Sequence, residues 1–279
     1  MHQNRNAGKV RPKKFLGQHF LKDQNIARKI VDALHLPEGE QTSVIEIGPG
    51  MGVLTQYLVD RKNIDLKLVE IDRESVQYLH AHFPGKAAII EGDFLQLDIA
   101  SILGPHGVII GNFPYNISSQ IFFKVLEHRN FVRQVVCMLQ KEVADRMAAA
   151  HGSKTYGILS VLLQAFYTIE NLFKVPPGVF HPPPKVMSAV IRLKRNSREQ
   201  LECNEPLFFQ VVKQGFNNRR KTLRNALKNL NLAPGVAALE MFDKRAEQLT
   251  VDDFIKLTRI IEDSRAGTIG RIRAEQGVS

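Results

Sequence analysis

Short apolar runs alternate with segments of helical periodicity from residue 43 to about residue 194, and this alternation constrains the fold more than any other feature of the chain. Strands are predicted at residues 44–47, 66–70, 87–91, 107–111, 132–139, 168–175 and 188–193. Helices are predicted between them at residues 53–58, 73–82, 118–127, 141–149 and 157–166. Such alternation predicts an α/β fold with a doubly wound, mainly parallel sheet. Ligands bind such sheets beyond the carboxyl ends of the strands.

The strand pattern stops near residue 195. Residues 195–203 are polar and are interpreted as a linker. Beyond them, helices are predicted at residues 207–230 and 246–261, with a break at residues 233–235. We therefore predict two domains. Residues 1–195 form the α/β domain and carry a basic N-terminal arm, whereas residues 196–279 form a small, all-helical domain.

The net charge of the chain is +10, and the basic excess lies towards its two ends. Residues 1–30 hold eight basic residues and one acid, residues 195–279 hold 15 and 11, and the centre is nearly neutral. Two separated basic regions favour a polyanionic partner such as nucleic acid. A solubilising surface is the alternative interpretation.

Cysteine usage and hydropathy set further limits. The two cysteines, Cys137 and Cys203, are far apart in the sequence, which fits a reducing compartment and offers no metal-binding cluster. No window approaches the roughly 18 consecutive apolar residues of a membrane span. The basic N-terminus is not followed by the apolar core of a secretory signal.

A glycine-rich turn follows the first predicted strand. Residues 48–52 have the spacing Gly-x-Gly-x-Gly with Pro49 inside the turn, unlike the Gly-x-Gly-x-x-Gly of dinucleotide sites. Glu70 ends the second strand, where its carboxylate can accept hydrogen bonds from both ribose hydroxyls. Asp93 follows the third strand and can accept one from an adenine amino group. This series lacks a phosphate clamp and favours S-adenosylmethionine over NAD; for the glycines alone, an ordinary strand–helix turn is the alternative.

The most specific motif, Asn-Phe-Pro-Tyr at residues 112–115, follows the fourth strand. The lone pair of an exocyclic base nitrogen is conjugated into the ring and is a poor nucleophile. The side-chain carbonyl of Asn112 and the backbone carbonyl of Pro114 can accept its two N–H protons and leave the lone pair free to attack a methyl group. Tyr115 can stack on the base. The alternative is an Asx-type turn that caps the helix beginning at Ser118.

With other segments, this motif resembles the ribosomal RNA adenine dimethyltransferase family nearly from end to end. The matching segments are KKFLGQHFL (13–21), LQKEVADR (139–146), YGILSV (156–161), FHPPPKVMSAV (180–190) and FNNRRKTLRN (216–225). The resemblance implies a class I methyltransferase, with a Rossmann-like doubly wound sheet and a small C-terminal all-helical domain. It is strongest to the members that act on small-subunit ribosomal RNA.

The implied activity is S-adenosylmethionine-dependent dimethylation of the N6 amino groups of two adjacent adenines near the 3′ end of small-subunit ribosomal RNA, during ribosome biogenesis. The expected product of the cofactor is S-adenosylhomocysteine, with no metal required. We expect a cytoplasmic monomer, away from membranes, that acts on RNA within a pre-ribosomal small subunit. One alternative is a large-subunit enzyme of the kind that confers macrolide resistance; residues 182–184 and 217–225 argue against it. The other is a ribosome-assembly checkpoint factor for which methylation is secondary.

The resemblance also assigns roles to individual residues. It implies cofactor contacts by His19, Leu21, Gly48, Gly50, Glu70, Asp93 and Asn112. It implies catalytic roles for Asn112, Pro114, Tyr115 and Phe180, with Phe180 as a second stacking face; a core aromatic is the alternative for that residue. Two positions depart from the family pattern, since His19 replaces the usual Asn and Phe113 replaces the usual Leu.

A basic segment in the second predicted domain completes the candidate residues. Residues 213–228 contain no acid and six basic residues, namely Lys213, Arg219, Arg220, Lys221, Arg224 and Lys228. On a helix, Leu223, Leu227 and Leu230 would face inward and leave most of the charge outward. This pattern predicts an RNA phosphate-binding surface; a solvated helix face is the alternative.

Overall fold

The computed structural model describes residues 10–230, 232 and 234–265. Residues 1–9 of the predicted basic arm, residues 231 and 233, and residues 266–279 lie outside the described residues. The chain divides into two compact units. The first contains the described residues up to Asp145 together with Tyr167–Arg195. The second contains Arg146–Phe166 and the described residues from Asn196 onward.

The described residues of the first unit contain nine strands. They are β1 (Phe20–Leu21), β2 (Thr42–Ile47), β3 (Ile64–Glu70), β4 (Ala88–Glu91), β5 (Gly107–Asn112), β6 (Val132–Gln140), β7 (Tyr167–Val175), β8 (Phe180–His181) and β9 (Ser188–Arg195). Seven of them form one sheet in the order β4-β3-β2-β5-β6-β9-β7, while β1 and β8 pair separately. The strands from β4 to β6 are parallel, and β9 and β7 complete the sheet by antiparallel pairing. The predicted mainly parallel sheet and its seven strands are confirmed.

The strand order reverses between β2 and β5. From β2 the chain adds β3 and then β4 on one side, and β5 and β6 follow on the other side. The two central strands are apolar because helices cover both of their faces, and Ile45 and Ile109 are fully buried. A crevice is expected at this reversal, beyond the carboxyl ends of β2 and β5. The glycine turn and the Asn-Phe-Pro-Tyr box begin at those two ends.

Six α-helices among the described residues accompany the sheet. They are α1 (Gln24–Asp32), α2 (Thr55–Leu58), α3 (Arg73–His82), α4 (Ile99–Leu103), α5 (Ser118–Glu127) and α6 (Lys141–Met147). Helices α3 and α5 have the predicted bounds. Asp72 caps α3 by accepting a hydrogen bond from the backbone N–H of Glu74, as expected of an acid at that position. Helices α1 and α4 were not predicted.

The regular secondary structure among the described residues of the second unit is all helical. It contains α7 (Ile158–Gln164), α8 (Glu205–Asn217), α9 (Leu223–Ala226), α10 (Pro234–Ala237) and α11 (Val251–Arg265). The sequence-based boundary placed residues 146–166 in the α/β domain, but they group with the C-terminal helices. The aromatic rings of Tyr156 and Phe254 both pack on the ring of Phe216, each with centroids 5.9 Å apart. These contacts explain the grouping, because α7 and α8 cover each other's apolar faces.

The predicted helix at residues 207–230 was wrong in one respect, since it is two helices with a turn between them. Helix α8 ends at Asn217, and α9 begins at Leu223. Thr222 is extended, and the backbone N–H of Leu223 donates to the carbonyl of Lys244 at 2.8 Å. Two consecutive asparagines are poor helix formers, so this outside partner suffices to end the helix. The predicted inward residues Leu223, Leu227 and Leu230 are buried.

Candidate active site

One cavity opens beyond the carboxyl ends of β2, β3, β4 and β5. It brings together eight residues that the sequence analysis singled out, namely His19, Gly48, Gly50, Glu70, Asp93, Asn112, Pro114 and Tyr115. These residues come from five separate stretches of the chain. The parallel strands deliver them to the same edge of the sheet because each stretch follows, or packs against, a strand end.

The glycine turn lets the backbone form one wall of this cavity. Gly48 and Gly50 have φ angles of 62° and 56°, in the left-handed region where side chains are strained. A Cβ atom at position 50 would lie 2.8 Å from a ring carbon of Phe20. Glycine is therefore required at position 50 for two reasons, its backbone conformation and the aromatic ring beside it.

Glu70 is fixed in position by two backbone hydrogen bonds. Its Oε2 accepts from the N–H of Gly50 at 3.0 Å, and its Oε1 accepts from the N–H of Asp72 at 2.9 Å. The residue is only 3% exposed, and burial raises the pKa of Glu70 while the two hydrogen bonds oppose the shift. A carboxylate oxygen can accept two hydrogen bonds, and the hydrogen bonds from Gly50 and Asp72 occupy one position on each oxygen of Glu70. Each oxygen can therefore still accept a hydrogen bond from a hydroxyl group in the cavity.

Asp93 and Ile71 lie farther along the same cavity. One oxygen of Asp93 accepts from the backbone N–H of Leu95 at 2.9 Å and so caps a short 3-10 turn. Ile71, which follows Glu70, is 49% exposed and also lines the cavity. The sequence analysis missed Ile71 and Leu95, because an apolar residue next to a strand end carries no signal of its exposure. Together they offer apolar surface for a flat ring beside the carboxylate of Asp93.

Asn112 has a defined amide orientation. Its Nδ2 donates to the backbone carbonyl of His19 at 2.8 Å, which leaves Oδ1 as the acceptor. Phe113, the departure from the usual leucine, is buried, and its backbone N–H donates to the carbonyl of Met138 at 2.9 Å. The Pro114 carbonyl accepts a long hydrogen bond of 3.3 Å from Ile117, so it keeps one lone pair for another donor.

Tyr115 is held beside His19. The two ring centroids are 5.3 Å apart, with an angle of 31° between the ring planes. The Tyr115 hydroxyl shares a hydrogen bond with the hydroxyl of Ser188 at the start of β9. Burial raises the pKa of Tyr115, with the Ser188 hydrogen bond opposing the shift, so the phenol stays neutral near pH 7. The ring is thus anchored at its hydroxyl end.

The segment around His19 is tied to the proline-rich segment far along the chain. Strands β1 and β8 pair in antiparallel fashion, with Phe20 opposite His181 and Leu21 opposite Phe180. The His19 Nδ1 donates to the carbonyl of Pro182 at 2.7 Å. The sequence analysis did not foresee this pairing, which joins residues about 160 positions apart.

A sequence model described as "Ribosomal RNA adenine dimethylase" matches residues 10–263. The chain belongs to the ribosomal RNA adenine dimethylase family. It is 59% identical to the ribosomal RNA small subunit methyltransferase A of Cytophaga hutchinsonii, over 91% of this chain and 98% of that protein. It is 54% identical to the protein of the same name from Parabacteroides distasonis, over 93% and 98% of the two chains.

Solved structures share the fold. A dimethyladenosine transferase from Plasmodium falciparum has a TM-score of 0.74 at 27% identity, covering 89% of this chain and 98% of that one. The 23S rRNA methyltransferase ErmE has a TM-score of 0.65 at 23% identity, covering 86% and 99%, and shares the fold. The fold of this adenine dimethylase is therefore the class I methyltransferase fold, Rossmann-like, as the sequence predicted.

Two of the residues expected at the site of this dimethylase lie outside the cavity. Phe180 is 1% exposed and belongs to the hydrophobic core, so it presents no open stacking face; the alternative, a core aromatic, describes its position. It pairs with Leu21 across β1 and β8, and both residues belong to the same hydrophobic cluster. Leu21 is also buried and lines a neighbouring cavity with Gly48 and Asn112.

Glu46 is a buried carboxyl group that the sequence analysis missed. It lines the neighbouring cavity and is 1% exposed, and its Oε2 accepts from the Thr55 hydroxyl at 2.7 Å. Burial raises the pKa of Glu46 to about 8; the Thr55 hydrogen bond opposes this shift and the charge of Glu70 adds to it. Glu46 is the second-to-last residue of β2, and a residue within a strand carries no signal that it lines a cavity.

The six basic residues of the dimethylase's second unit fall into two groups. Arg219 donates to Glu247 at 3.0 Å and to the Tyr156 carbonyl at 2.9 Å, while Arg224 donates to Asp243 at 2.6 Å. The hydrogen bonds of these two arginines therefore stabilise the second unit itself. The other four are exposed, namely Lys213, Arg220, Lys221 and Lys228. They do not form one helix face, because the turn between α8 and α9 interrupts the segment.

Within residues 10–230, 232 and 234–265, no group of three or more His, Cys, Asp or Glu side chains is placed to hold a metal ion. Across the same described part of the chain, no helix has the length and apolar character needed to cross a bilayer.

Proposed function

We propose that this chain is an S-adenosylmethionine-dependent methyltransferase of small-subunit ribosomal RNA, which dimethylates the N6 nitrogens of two adjacent adenines near the 3′ end. The observation that carries the proposal is that two groups line the same cavity. One is a buried carboxylate fixed by hydrogen bonds, and the other is an amide oxygen oriented to accept a hydrogen bond from an N–H group. Glu70 provides the first and Asn112 the second. The names of the relatives at 59% and 54% identity support the substrate class.

The residues present suit S-adenosylmethionine. Glu70 retains acceptor capacity for ribose hydroxyls, and Asp93 with the exposed face of Ile71 suits an adenine ring. The left-handed turn at Gly48 and Gly50 lets backbone line the cavity, and a Cβ atom at position 50 would collide with the Phe20 ring. When bound, this cofactor supplies an electrophilic methyl group and leaves as S-adenosylhomocysteine. We place the amino-acid end of the cofactor next to His19, and next to Leu21, which lines the neighbouring cavity.

The target nitrogen needs to be made nucleophilic and held in line. Asn112 Oδ1 accepts one N6 proton, and the remaining lone pair of the Pro114 carbonyl accepts the other. This arrangement turns the N6 lone pair towards the methyl carbon, and holding both reactants in line lowers the barrier through positioning. As the N–C bond forms, the sulfur–methyl bond of the cofactor would break, so the nitrogen would gain the positive charge that the sulfur loses and would then release a proton to water. No side chain needs to act as a base. Tyr115 supports the adenine ring by stacking.

The partner is small-subunit ribosomal RNA within a pre-ribosomal particle. The chain binds it in the cytoplasm, as a monomer, during ribosome biogenesis. The exposed cations Lys213, Arg220, Lys221 and Lys228 contact phosphates, where each neutralised phosphate contributes a salt-dependent increment of affinity. Arg219 and Arg224, which the sequence included in this surface, contribute through the fold of the second unit.

The test is transfer of tritiated methyl groups onto small subunits from a strain that lacks the modification. Label in adjacent N6,N6-dimethyladenines is expected. Large subunits and bare ribosomal RNA are the controls. Label confined to large subunits would establish the macrolide-resistance activity instead. Tight binding to small subunits without label would leave the assembly-checkpoint role and overturn the enzymatic proposal.

A further inference from the structure

Four large apolar side chains are exposed among the described residues, namely Phe15, Ile71, Val186 and Met187. All four adjoin the active site in sequence or line it. Ile71 lines the cavity, and Met187 precedes Ser188, the hydrogen-bond partner of Tyr115. Phe15 is the most exposed at 77%, and it directly precedes Leu16, where the cavity lining begins.

The backbone that carries Phe15 is held in place. Phe15 lies in a 3-10 turn, Lys14–Leu16, which Gly17 ends in the left-handed conformation at a φ of 64°. Lys13, just before the turn, forms ion pairs with Asp72 and Glu74 at the start of α3. The turn is therefore anchored on one side by α3 and on the other by the cavity wall. An aromatic ring kept in water on an anchored turn is available to a partner at no ordering cost to the backbone.

The position and charge of this turn select the partner. The five residues that follow Phe15 line the cavity in which Tyr115 lies. Arg11 and Lys14, which both precede Phe15 within four residues in the sequence, are exposed cations. An exposed ring that follows two exposed cations in the sequence, at the edge of a base-binding cavity, suits single-stranded RNA, in which bases stack on aromatic side chains and phosphates contact basic ones.

We propose that Phe15 stacks on the nucleotide next to the target adenine. This inference rests on the proposed function. When an adenine is turned into the cavity, its neighbour loses a stacking partner. The ring of Phe15 replaces that partner at the rim. It thereby serves as a positioning residue that stabilises the turned-out state, with no contact to the reacting atoms.

The first test compares substitutions of Phe15. Phe15→Ala and Phe15→Leu are expected to slow single-turnover methylation of unmethylated small subunits by about tenfold, because stacking on a base is worth roughly that factor or more. Phe15→Tyr is expected to restore the rate. Calorimetric S-adenosylmethionine affinity should stay unchanged in all three, and so should the monomeric mass in sedimentation. A normal rate in Phe15→Ala, a loss of cofactor affinity or a change of oligomeric state would each overturn the proposal.

The second test uses tryptophan fluorescence, since the chain contains no tryptophan. Phe15→Trp creates a single reporter, and Gln41→Trp is the control at an exposed position before the amino end of β2, at the opposite edge of the sheet. Quenching is expected for Phe15→Trp when an RNA oligonucleotide carrying the two adjacent adenines binds. An abasic site next to the target should abolish the quenching. Equal quenching by abasic and intact RNA, or equal quenching in both variants, would refute the stacking.

Wild-type protein in the same methylation assay separates the two levels of inference. If wild type transfers no methyl group to small subunits, the proposed function fails. If wild type is active and the Phe15 variants behave like it, only the stacking role fails.

Discussion

The side-chain amide of Asn112 donates to the backbone carbonyl of His19 at 2.8 Å, and this hydrogen bond determines which end of the amide faces the cavity. The donor group is used by the protein itself, so the oxygen is presented to a ligand. Because the bond goes to backbone, the exchange of the family's usual Asn for His19 leaves it intact. The His19 ring is instead engaged by Pro182 at 2.7 Å.

The first prediction concerns Asn112. Asn112→Ala removes the acceptor for the N6 proton and should lower single-turnover methylation by about 100-fold, similar to the loss of one preorganised group at an oxyanion site. Affinity for small subunits should change little in filter binding, since phosphate contacts supply most of it. Wild-type turnover by this variant would contradict the mechanism.

Glu70 should govern cofactor affinity. Two hydroxyls lose a charged acceptor in Glu70→Gln, and each such hydrogen bond is worth about 1.5–3 kcal/mol, so affinity should fall at least about tenfold. Asp65→Asn is the matched control. Asp65 lies on the same strand as Glu70, near the strand's amino end, and forms an ion pair with Lys67, so this variant should bind S-adenosylmethionine normally. Calorimetry with S-adenosylmethionine is the measurement, and equal affinities would disprove the site.

Tyr115 and Phe180 should behave differently from each other. Tyr115→Ala should slow methyl transfer by about tenfold with little change in stability, and Tyr115→Phe should keep most of the rate because the ring remains. Phe180→Ala removes a buried core ring and should lower the free energy of unfolding by about 3–5 kcal/mol. Urea unfolding beside single-turnover kinetics separates the two effects. A fully stable but inactive Phe180→Ala would restore Phe180 to the stacking role.

Glu46 should make stability depend on pH. Its pKa is raised from 4.5 to about 8 in the folded protein, so between these values the folded state holds a proton that the unfolded state has released. Stability therefore falls as the pH rises through this window. Glu46→Gln should be more stable than wild type at pH 9, by on the order of a few kcal/mol, and similar to it at pH 4. Unfolding by urea at the two pH values tests this; part of the slope should remain in the variant because the pKa of Glu70 is also raised.

The basic residues should separate by role. Replacing Arg220, Lys221 and Lys228 with Ala should weaken RNA binding and lower the salt dependence by about one unit per lost phosphate contact, without a change in Tm. Arg219→Ala should lower Tm, because Glu247 and the Tyr156 carbonyl lose their donor. If the salt dependence of RNA affinity is unchanged in the triple variant, these cations do not contact RNA phosphates and form only a solvated surface.

Local pattern was sufficient for the parts of this molecule that local physics determines. The central strands were predicted because burial on both faces demands unbroken apolar runs, and the glycine turn because only glycine adopts its conformation. Helix α1 was missed because its amphipathic pattern is short and follows a segment interpreted as a binding motif. Contacts between distant residues were also missed. No local signal pairs Leu21 with Phe180, and both residues belong to the same buried hydrophobic cluster.

The same kind of long-range contact ended the predicted helix at Asn217. The carbonyl of Lys244 offers a partner to Leu223 across 21 positions, and propensity alone could not reveal it. Residues 146–166 were assigned to the α/β domain because they lie between two of its strands in sequence. Their aromatic partner Phe216 lies about 60 residues away.

The pairing of β1 with β8 also has a consequence for synthesis of the chain. His19 and Phe20 belong to the cavity wall, yet the strand that pairs with this segment ends at His181. A nascent chain that has not yet emerged past His181 lacks this partner, although its glycine turn and Glu70 are already available. Completion of the cofactor cavity is thus postponed until almost the whole α/β unit has left the translating ribosome.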